Sequence, residues 1–128
     1  MFNFAFDPSQ GILTVAVNGS WSTAEVERYA REAGPAFERA REKAGFLRLF
    51  IDLRATHVLS QALMDPLAKA GMQYSRADDR VALVVASTLL KLQMRRMLGE
   101  APVPIFLSAD EAETWLLGTD SYKTRAAG

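Results

Sequence analysis

The hydrophobic positions of the chain switch repeatedly between the spacing of a strand and the spacing of a helix. Near the start, Phe2, Phe4 and Phe6 occupy every second position, which predicts a strand with one buried face. Residues 7–11 supply the turn chemistry of Pro and Gly, and residues 12–17 are rich in β-branched side chains. These two segments predict an antiparallel hairpin with a five-residue loop.

Helical spacing follows the hairpin and begins at a capping box formed by Ser22 and Glu25. Gly34 and Pro35 lie in the middle of this predicted helix and are expected to kink or split it, because Pro removes a backbone hydrogen bond. A second capping box begins at Ser108 and predicts the last helix of the chain.

Two more helices are predicted between these capping boxes. Asp65 and Pro66 predict the start of one, with Asp as the cap and Pro in the first turn, after a short helical turn at residues 60–64. The other begins at Ser87 or Thr88. The link between the strand predicted to end at residue 53 and the helix predicted to begin at Asp65 is long, and long links in compact domains often contain functional residues.

Three apolar runs, residues 47–53, 80–86 and 103–107, predict strands between the helices. The run at 80–86 is almost continuously apolar, which is typical of a central strand covered on both faces. Pro102 and Pro104 place the last strand near a sheet edge, where fewer N–H groups must pair.

Strands that alternate with helices require crossover connections, and these favour a parallel sheet. The predicted fold is a single-domain α/β protein with a mixed, mostly parallel five-stranded sheet, an N-terminal antiparallel hairpin and about four helices. The domain is expected to cover residues 1–118, and residues 119–128 are expected to form a flexible tail.

Composition narrows the possible functions. The 128 residues carry 15 basic and 15 acidic side chains, so no overall field attracts a nucleic acid, and no nucleic-acid partner is expected. With no cysteine and one histidine, a Cys/His zinc site cannot form, and no metal or cofactor is expected. The absence of a signal-like or membrane-spanning apolar run predicts a cytoplasmic protein without an integral membrane segment.

The strand and helix order, together with LFIDLR at 49–54, VALVVAS at 81–87 and IFL at 105–107, resembles the SpoIIAA-like, or STAS/SEC14-like, family of small bacterial proteins. The resemblance covers residues 1 to about 118 and implies a non-enzymatic binding domain. The wider STAS group includes antagonists of anti-sigma factors, which a kinase inactivates by phosphorylating a serine in an Asp-Ser-Ser-Gly motif at a helix start. A phosphate adds about two negative charges to a surface that a partner must approach.

The resemblance draws attention to the segment that follows the third strand. Directly after Asp52, residues 53–55 read Leu-Arg-Ala, so the usual phosphate acceptor is missing there. Thr56 and Ser60 are the nearest hydroxyl groups, and with Asp52 and Arg54 they are candidate partner- or ligand-binding residues. In the alternative interpretation Thr56 bonds local backbone, Ser60 caps a helical turn and Asp52 orients the loop.

A second candidate surface is basic. Lys91 and Arg95 lie one helical turn apart, with Arg96 beside them, and the three could meet a phosphate or an acidic partner. The alternative is that they form the solvated face of a helix. No aromatic residue is interleaved with them, so base stacking is not expected.

The methionines suggest an apolar ligand. Met64, Met72, Met94 and Met97 fall on the two helices that flank the central strands, and methionine suits adaptable apolar pockets. A carrier would need a preformed cavity of a few hundred cubic ångströms between these helices. The alternative is that the four side chains complete an ordinary core.

The sequence therefore predicts a non-catalytic cytoplasmic binding or regulatory module that acts on a protein partner. The rival hypothesis is a carrier of a small apolar or lipid-like ligand. A third, a hydrolase that uses Asp52, His57 and Ser60, is disfavoured because catalytic triads are assembled from distant segments. The strand of Phe2, Phe4 and Phe6 could also form the edge of a homodimer.

Overall fold

The computed structural model describes residues 2–57 and 60–118. Five strands and four helices alternate within these ranges after an initial hairpin. The strands are β1 (Phe2–Asp7), β2 (Ile12–Gly19), β3 (Arg48–Thr56), β4 (Arg80–Val84) and β5 (Ile105–Phe106). The helices are α1 (Thr23–Ala44), α2 (Gln61–Met72), α3 (Thr88–Leu98) and α4 (Ala109–Leu117).

The strands form one sheet in the order β1-β2-β3-β4-β5. β1 pairs with β2 antiparallel, and the remaining pairs are parallel. The predicted α/β fold with a mixed, mostly parallel sheet is confirmed. β4 lies in the interior of the sheet as expected, and β5 is an edge strand, which accommodates the prolines next to it.

The helices cover the two faces of the sheet unequally. α1, α2 and α3 pack on one face, where side chains such as Val15, Phe37 and Met94 form the main core. α4 covers the other face alone and buries Ala112 and Leu116 against the central strands. Ile12 at the start of β2 packs in the same cluster, whereas Ala5, Ala16 and Asn18 further along β1 and β2 are exposed on that face.

β1 is the other edge strand. Phe2, Phe4 and Phe6 pair in register with Val17, Val15 and Leu13. Phe2 is buried in the main core, and the half-buried Phe4 and Phe6 pack against it. The outward edge of β1 has no strand beside it within the described sheet. The homodimer along this edge stays a prediction.

Two sequence expectations are wrong, namely that Pro35 splits the first helix and that Asp65 caps the second. α1 is a single helix across Gly34 and Pro35, because packing on the sheet compensates for the one backbone bond that Pro removes. α2 begins at Gln61, so Pro66 lies inside the helix and Asp65 is not its cap. Pro66 suits the first turn of a helix, but the first turn of α2 lies one turn earlier.

The topology brings the starts of all four helices to one edge of the sheet. Because β2 to β5 are parallel, their carboxyl ends share this edge, and each is followed by a helix. The residue that precedes each helix is a serine, namely Ser22, Ser60, Ser87 and Ser108. In open α/β sheets this carboxyl edge is where ligands and partners bind most often.

Candidate functional site

Three of the four serines use their hydroxyl to cap a helix. The backbone N–H groups of Glu25, Leu90 and Glu111 donate to the Oγ atoms at Ser22, Ser87 and Ser108 over 3.2, 3.1 and 3.3 Å. The side chain of Ser60 makes no such bond. Ser60 is exposed, and capping of α2 does not account for a serine at this position.

This difference predicts unequal effects of removing the hydroxyl groups. Ser87→Ala should lower the free energy of unfolding by about 1 kcal/mol, because it deletes a cap hydrogen bond. Ser60→Ala should change it by less than about 0.3 kcal/mol, because the native hydroxyl caps nothing. Urea denaturation of the two variants measures both values. Equal losses would show that Ser60 caps α2 in solution.

β3 extends further than the sequence predicted. It ends at Thr56 rather than near residue 53, so residues 53–55 lie inside the strand and not at a helix start. The position that precedes a helix after β3 is Ser60. The sequence placed residues 53–55 where the family has the phosphorylated serine at a helix start. That placement is wrong, because these residues lie in a strand. The half-buried Thr56 hydroxyl donates to the Val17 carbonyl of β2 over 3.4 Å, so its backbone partner lies on the neighbouring strand and is not local.

Asp52 and Arg54 form an ion pair near the carboxyl end of β3, on the sheet face that carries α4. The guanidinium donates from Nε and Nη2 to the two carboxylate oxygens over 2.9 and 2.8 Å. The side-chain hydrogen bond from Arg54 lowers the pKa of Asp52, and its backbone N–H acts in the same direction. The pair borders a shallow depression of about 570 Å³ that is lined also by Asn3, Ala16 and Asn18.

The three residues of the suggested hydrolase triad are not brought together. Asp52 pairs in register with Val84, whose side chain lies under α4, whereas α2 and Ser60 belong to the opposite face. His57 instead contacts Ser20 through Nδ1 and Oγ, 2.9 Å apart. Ser20 was not among the predicted site residues, because nothing local in the sequence links it to position 57.

The exposed side of α3 carries two flanks of different chemistry. Leu89, Leu92 and Arg96 follow helical spacing along one flank, and Lys91 and Arg95 lie one turn apart on the other. Leu89 and Leu92 are 60% and 59% exposed, although they follow the same helix as the buried Leu90 and Met94. The basic residues predicted as one patch are thus divided between the two flanks.

Arg95 has a structural partner. Its guanidinium donates to the carbonyl oxygens of Val103 and, over 3.4 Å, of Ala101 in the segment that leads into β5. This contact holds the loop after α3 against the helix. Lys91 and Arg96 are exposed, and no structural role is evident for either within the described residues.

The methionine-bearing helices border a small apolar cavity. Its volume is about 90 Å³, and Met72, Met94 and Met97 contribute to its walls. Pockets for drug-sized ligands occupy about 300–1,000 Å³. The cavity is therefore too small for a lipid, and Met64 packs in the core instead.

Within residues 2–57 and 60–118, no group of three or more His, Cys, Asp or Glu side chains is placed to hold a metal ion. None of the helices that the structure describes is both long and apolar enough to cross a membrane.

The fold is similar to that of two solved structures. The anti-sigma factor antagonist SpoIIAA in its unphosphorylated form superposes with a TM-score of 0.64 and 12% identity, over 92% of this chain and 99% of that one. An anti-sigma-factor antagonist (STAS) domain protein from Planctomyces limnophilus gives a TM-score of 0.60 and 14% identity, over 90% and 97%. No family model and no curated protein sequence matches. The likeness shows the SpoIIAA and STAS fold that the sequence predicted.

Proposed function

We propose that this chain, which has the SpoIIAA and STAS fold, is a non-catalytic regulatory module that binds a partner protein at the carboxyl edge of its sheet. The proposed docking surface begins at this edge with Ser60 and Leu89 and continues along α3 over Leu92 and Arg96, and we call it the edge surface. The proposed site of action is the cytoplasm, where a chain without cysteine is not affected by reducing conditions.

The exposed pair Leu89 and Leu92 carries this proposal. Both side chains are more than half exposed, and they lie one turn apart on the same flank of α3. Single exposed apolar residues are common, whereas apolar neighbours rimmed by charge often mark a protein interface. A leucine pair on a helix suits the apolar groove or helix face of another protein.

Ser60 belongs to the same surface because of the topology. β3 and β4 are adjacent and parallel, so the helices that follow them begin side by side at one edge. α2 and α3 are also in contact with each other. Ser60 precedes α2, and Leu89 lies in the first turn of α3.

Charge indicates the kind of partner. Lys91, Arg95 and Arg96 are the charged residues of α3, which contains no acidic side chain. A partner with acidic groups around an apolar contact would complement this helix. SpoIIAA is an antagonist of an anti-sigma factor, and an anti-sigma-like regulatory protein is the proposed partner class here.

Ser60 is the proposed position of a charge switch within the edge surface. It is exposed, its hydroxyl caps nothing, and it stands at a helix start, where an added negative charge is tolerated by the helix dipole. A phosphate at Ser60 would place about two negative charges opposite an acidic partner. Partner release would follow without unfolding of the module.

Ser60→Glu is therefore expected to weaken partner binding by about ten-fold, since like charges across an interface repel. Affinity capture from the host with the wild-type chain identifies the partner, and capture with Ser60→Glu measures the change. Ser60→Ala should retain the partner. Thr114→Glu, on the exposed side of α4 behind the sheet, is the matched charge control and should also retain it.

Two results would count against the switch. One is equal capture by the wild type and Ser60→Glu. The other is equal loss with Ser60→Glu and Thr114→Glu, since that would show a general effect of negative charge rather than an effect of the edge surface.

A further inference from the structure

We infer that this chain forms a two-fold symmetric homodimer in which β1 pairs antiparallel with β1 of a second copy and the two α1 helices form ion pairs across the interface. The juxtaposition that supports this is an edge strand with outward backbone groups beside a helix flank whose two halves differ in charge. The inference is independent of the proposed partner binding, because the edge surface lies at the start of α2 and along α3.

The backbone groups of Phe4 and Phe6 point away from the sheet. The Asp7 carbonyl accepts a backbone N–H from the loop that leads to β2, so Asp7 faces β2. The Phe2 carbonyl faces the opposite way and accepts from Arg28 Nη2 over 3.0 Å. Because successive residues of a strand direct their N–H and C=O groups to opposite sides, Phe4 and Phe6 share the outward direction of Phe2.

β1 has none of the features that usually protect an edge strand. β5, the other edge, is only two residues long and has prolines at 102 and 104 beside it. β1 is six residues long, contains neither Lys nor Pro, and pairs with β2 without a register shift. Proteins use short edges, Lys, Pro and bulges to prevent strand addition. The outer side of β1 is therefore open to a further strand.

The position of Arg28 selects one register for a second copy. Arg28 occupies the Phe2 carbonyl, so the groups left for pairing belong to Phe4 and Phe6. With the two-fold axis at Ala5, Phe4 of one copy lies opposite Phe6 of the other. The two residues of such a pair direct their N–H and C=O groups toward each other and exchange both hydrogen bonds. This register therefore satisfies the outward groups of both copies.

The side chains of β1 also favour a second copy. Phe4 and Phe6 are half-buried and, with Ala36 and Ala40 of α1, line a depression of about 160 Å³ beside β1. The antiparallel pairing places a phenylalanine of the second copy directly across from each of them. Cross-strand aromatic pairs are favourable. The pairing also covers apolar surface that a single chain leaves exposed.

The flank of α1 beside β1 has two halves of different charge. Helical spacing places Glu25, Arg28 and Glu32 on the half near the helix start, and Arg28 forms ion pairs with both acidic residues, over 3.7 and 3.3 Å. The half near the helix end carries Arg39 and Lys43, which lie in the wall of the depression. The first half therefore has an excess of negative charge, and the second half has an excess of positive charge.

Pairing about a two-fold axis brings the unlike halves together. The guanidinium carbon of Arg28 lies 4.0 Å from the centre of the Phe2 ring, and the Lys43 ammonium lies 5.4 Å from the centre of the Phe6 ring. α1 thus follows β1 from one end to the other. In the antiparallel pair, opposite ends of the two β1 strands meet, which places Lys43 of one copy toward Glu32 of the other. The flank is complementary to itself, so the occupant that fits is a second copy.

Charge reversal at these two positions tests the pairing. Lys43→Glu and Glu32→Lys should each weaken the dimer by about ten-fold, because each places like charges on both sides of the axis. The two changes combined restore the attraction and should return the dissociation constant to within about three-fold of the wild type. Within one chain the two positions are about 16 Å apart along the helix, so no intramolecular pair explains such a recovery.

Sedimentation equilibrium of the purified chain over about 1–300 µM measures each dissociation constant. Lys69→Glu is the matched control. Like Lys43, Lys69 is a basic residue in the last turn of a helix, and it is exposed on α2. Its reversal should change the dissociation constant by less than about two-fold, because changes outside an interface have small effects.

Hydrogen exchange locates the dimer contact in the wild-type chain. The Phe4 and Phe6 amide protons should exchange at least about ten-fold more slowly in concentrated than in dilute solution, because bonds within the dimer protect them. The Ala5 amide faces β2 and should be protected at both concentrations. Because no variant is needed, this measurement gives a result even where a substitution alters folding.

Any of four outcomes would overturn the inference. One is a chain that stays monomeric at every concentration. Another is a dimer in which the Phe4 and Phe6 amides stay unprotected, which would place the contact elsewhere. The others are a combined variant that dimerises as weakly as the single variants and an equal loss with Lys43→Glu and Lys69→Glu.

Discussion

Replacing Asp79 with alanine should lower the free energy of unfolding by about 3–5 kcal/mol, because it removes the buried counter-charge of the Arg41 guanidinium and leaves only the half-exposed Glu38 beside it. The side chains of Arg41 and Asp79 are only 8% and 4% exposed. Arg41 donates from Nη2 and Nε to the two carboxylate oxygens over 2.7 and 3.3 Å. The pair joins α1 to the segment before β4.

Further contacts make this ion pair the centre of a network. Arg41 also donates to the Tyr74 carbonyl over 2.9 Å and to Glu38 over 2.8 Å, and the backbone N–H of Arg76 donates to Asp79. Burial opposes the charge of Arg41, but hydrogen bonds and attraction from the two carboxylates outweigh it and raise the pKa of the guanidinium. An Arg guanidinium is not deprotonated in proteins, so Arg41 stays charged when Asp79 is removed.

Urea denaturation of Asp79→Ala measures the expected loss. Asp78→Ala is the matched control, since Asp78 is the exposed neighbour, and it should change the free energy of unfolding by less than about 0.5 kcal/mol. Similar small losses in both variants would mean that the ion pair is solvated and contributes little.

The combined change Leu89→Asp and Leu92→Asp should weaken partner binding by more than about 100-fold, because it removes two apolar contacts and places two carboxylates without counter-charges opposite a partner that is itself acidic. The two side chains are 60% and 59% exposed, so their loss removes little of the core. Leu89 lies in the first turn of α3, where a carboxylate is favourable. The free energy of unfolding should stay within about 0.5 kcal/mol of the wild type for each change.

A leucine elsewhere provides the control for this pair. Leu117 on α4 is 41% exposed and belongs to the helix behind the sheet. Leu117→Asp removes an exposed leucine and adds the same charge. It should leave partner binding within about three-fold of the wild type, because changes at the periphery or outside an interface have small effects.

Local patterns in the sequence were sufficient for much of the fold. The capping boxes at Ser22 and Ser108 predicted two helix starts, because the contacts involved span only three residues. The prolines were less informative. Pro66 suits a first turn by itself, but tertiary packing tolerates it inside α2, and this shifted the predicted start of the helix.

Contacts between distant residues could not be predicted from one sequence. Arg41 and Asp79 are 38 positions apart, and Ser20 and His57 are 37 apart. Either pair could have been formed with other charged or polar residues of the chain. The order of the strands decides which residues meet, and the sequence indicates only that the sheet is mostly parallel.

The leucines of α3 are an indication of the edge surface that is visible in the sequence itself. α3 carries Leu89, Leu90 and Leu92 within four positions, which is more than one apolar stripe of a helix can bury. The leucines that do not fit on the buried stripe of the helix face solvent or a partner protein. The basic residues drew attention to the same helix, but the leucines are the stronger indication of a protein interface.

The most direct test of a partner-binding edge surface is calorimetric titration of the captured partner, after purification, into the wild-type chain, Leu89→Asp with Leu92→Asp, and Leu117→Asp. We predict that the wild type and Leu117→Asp bind with dissociation constants within about three-fold of each other and that the double variant binds more than about 100-fold more weakly. Binding of the folded double variant with wild-type affinity would contradict the edge surface as the docking site.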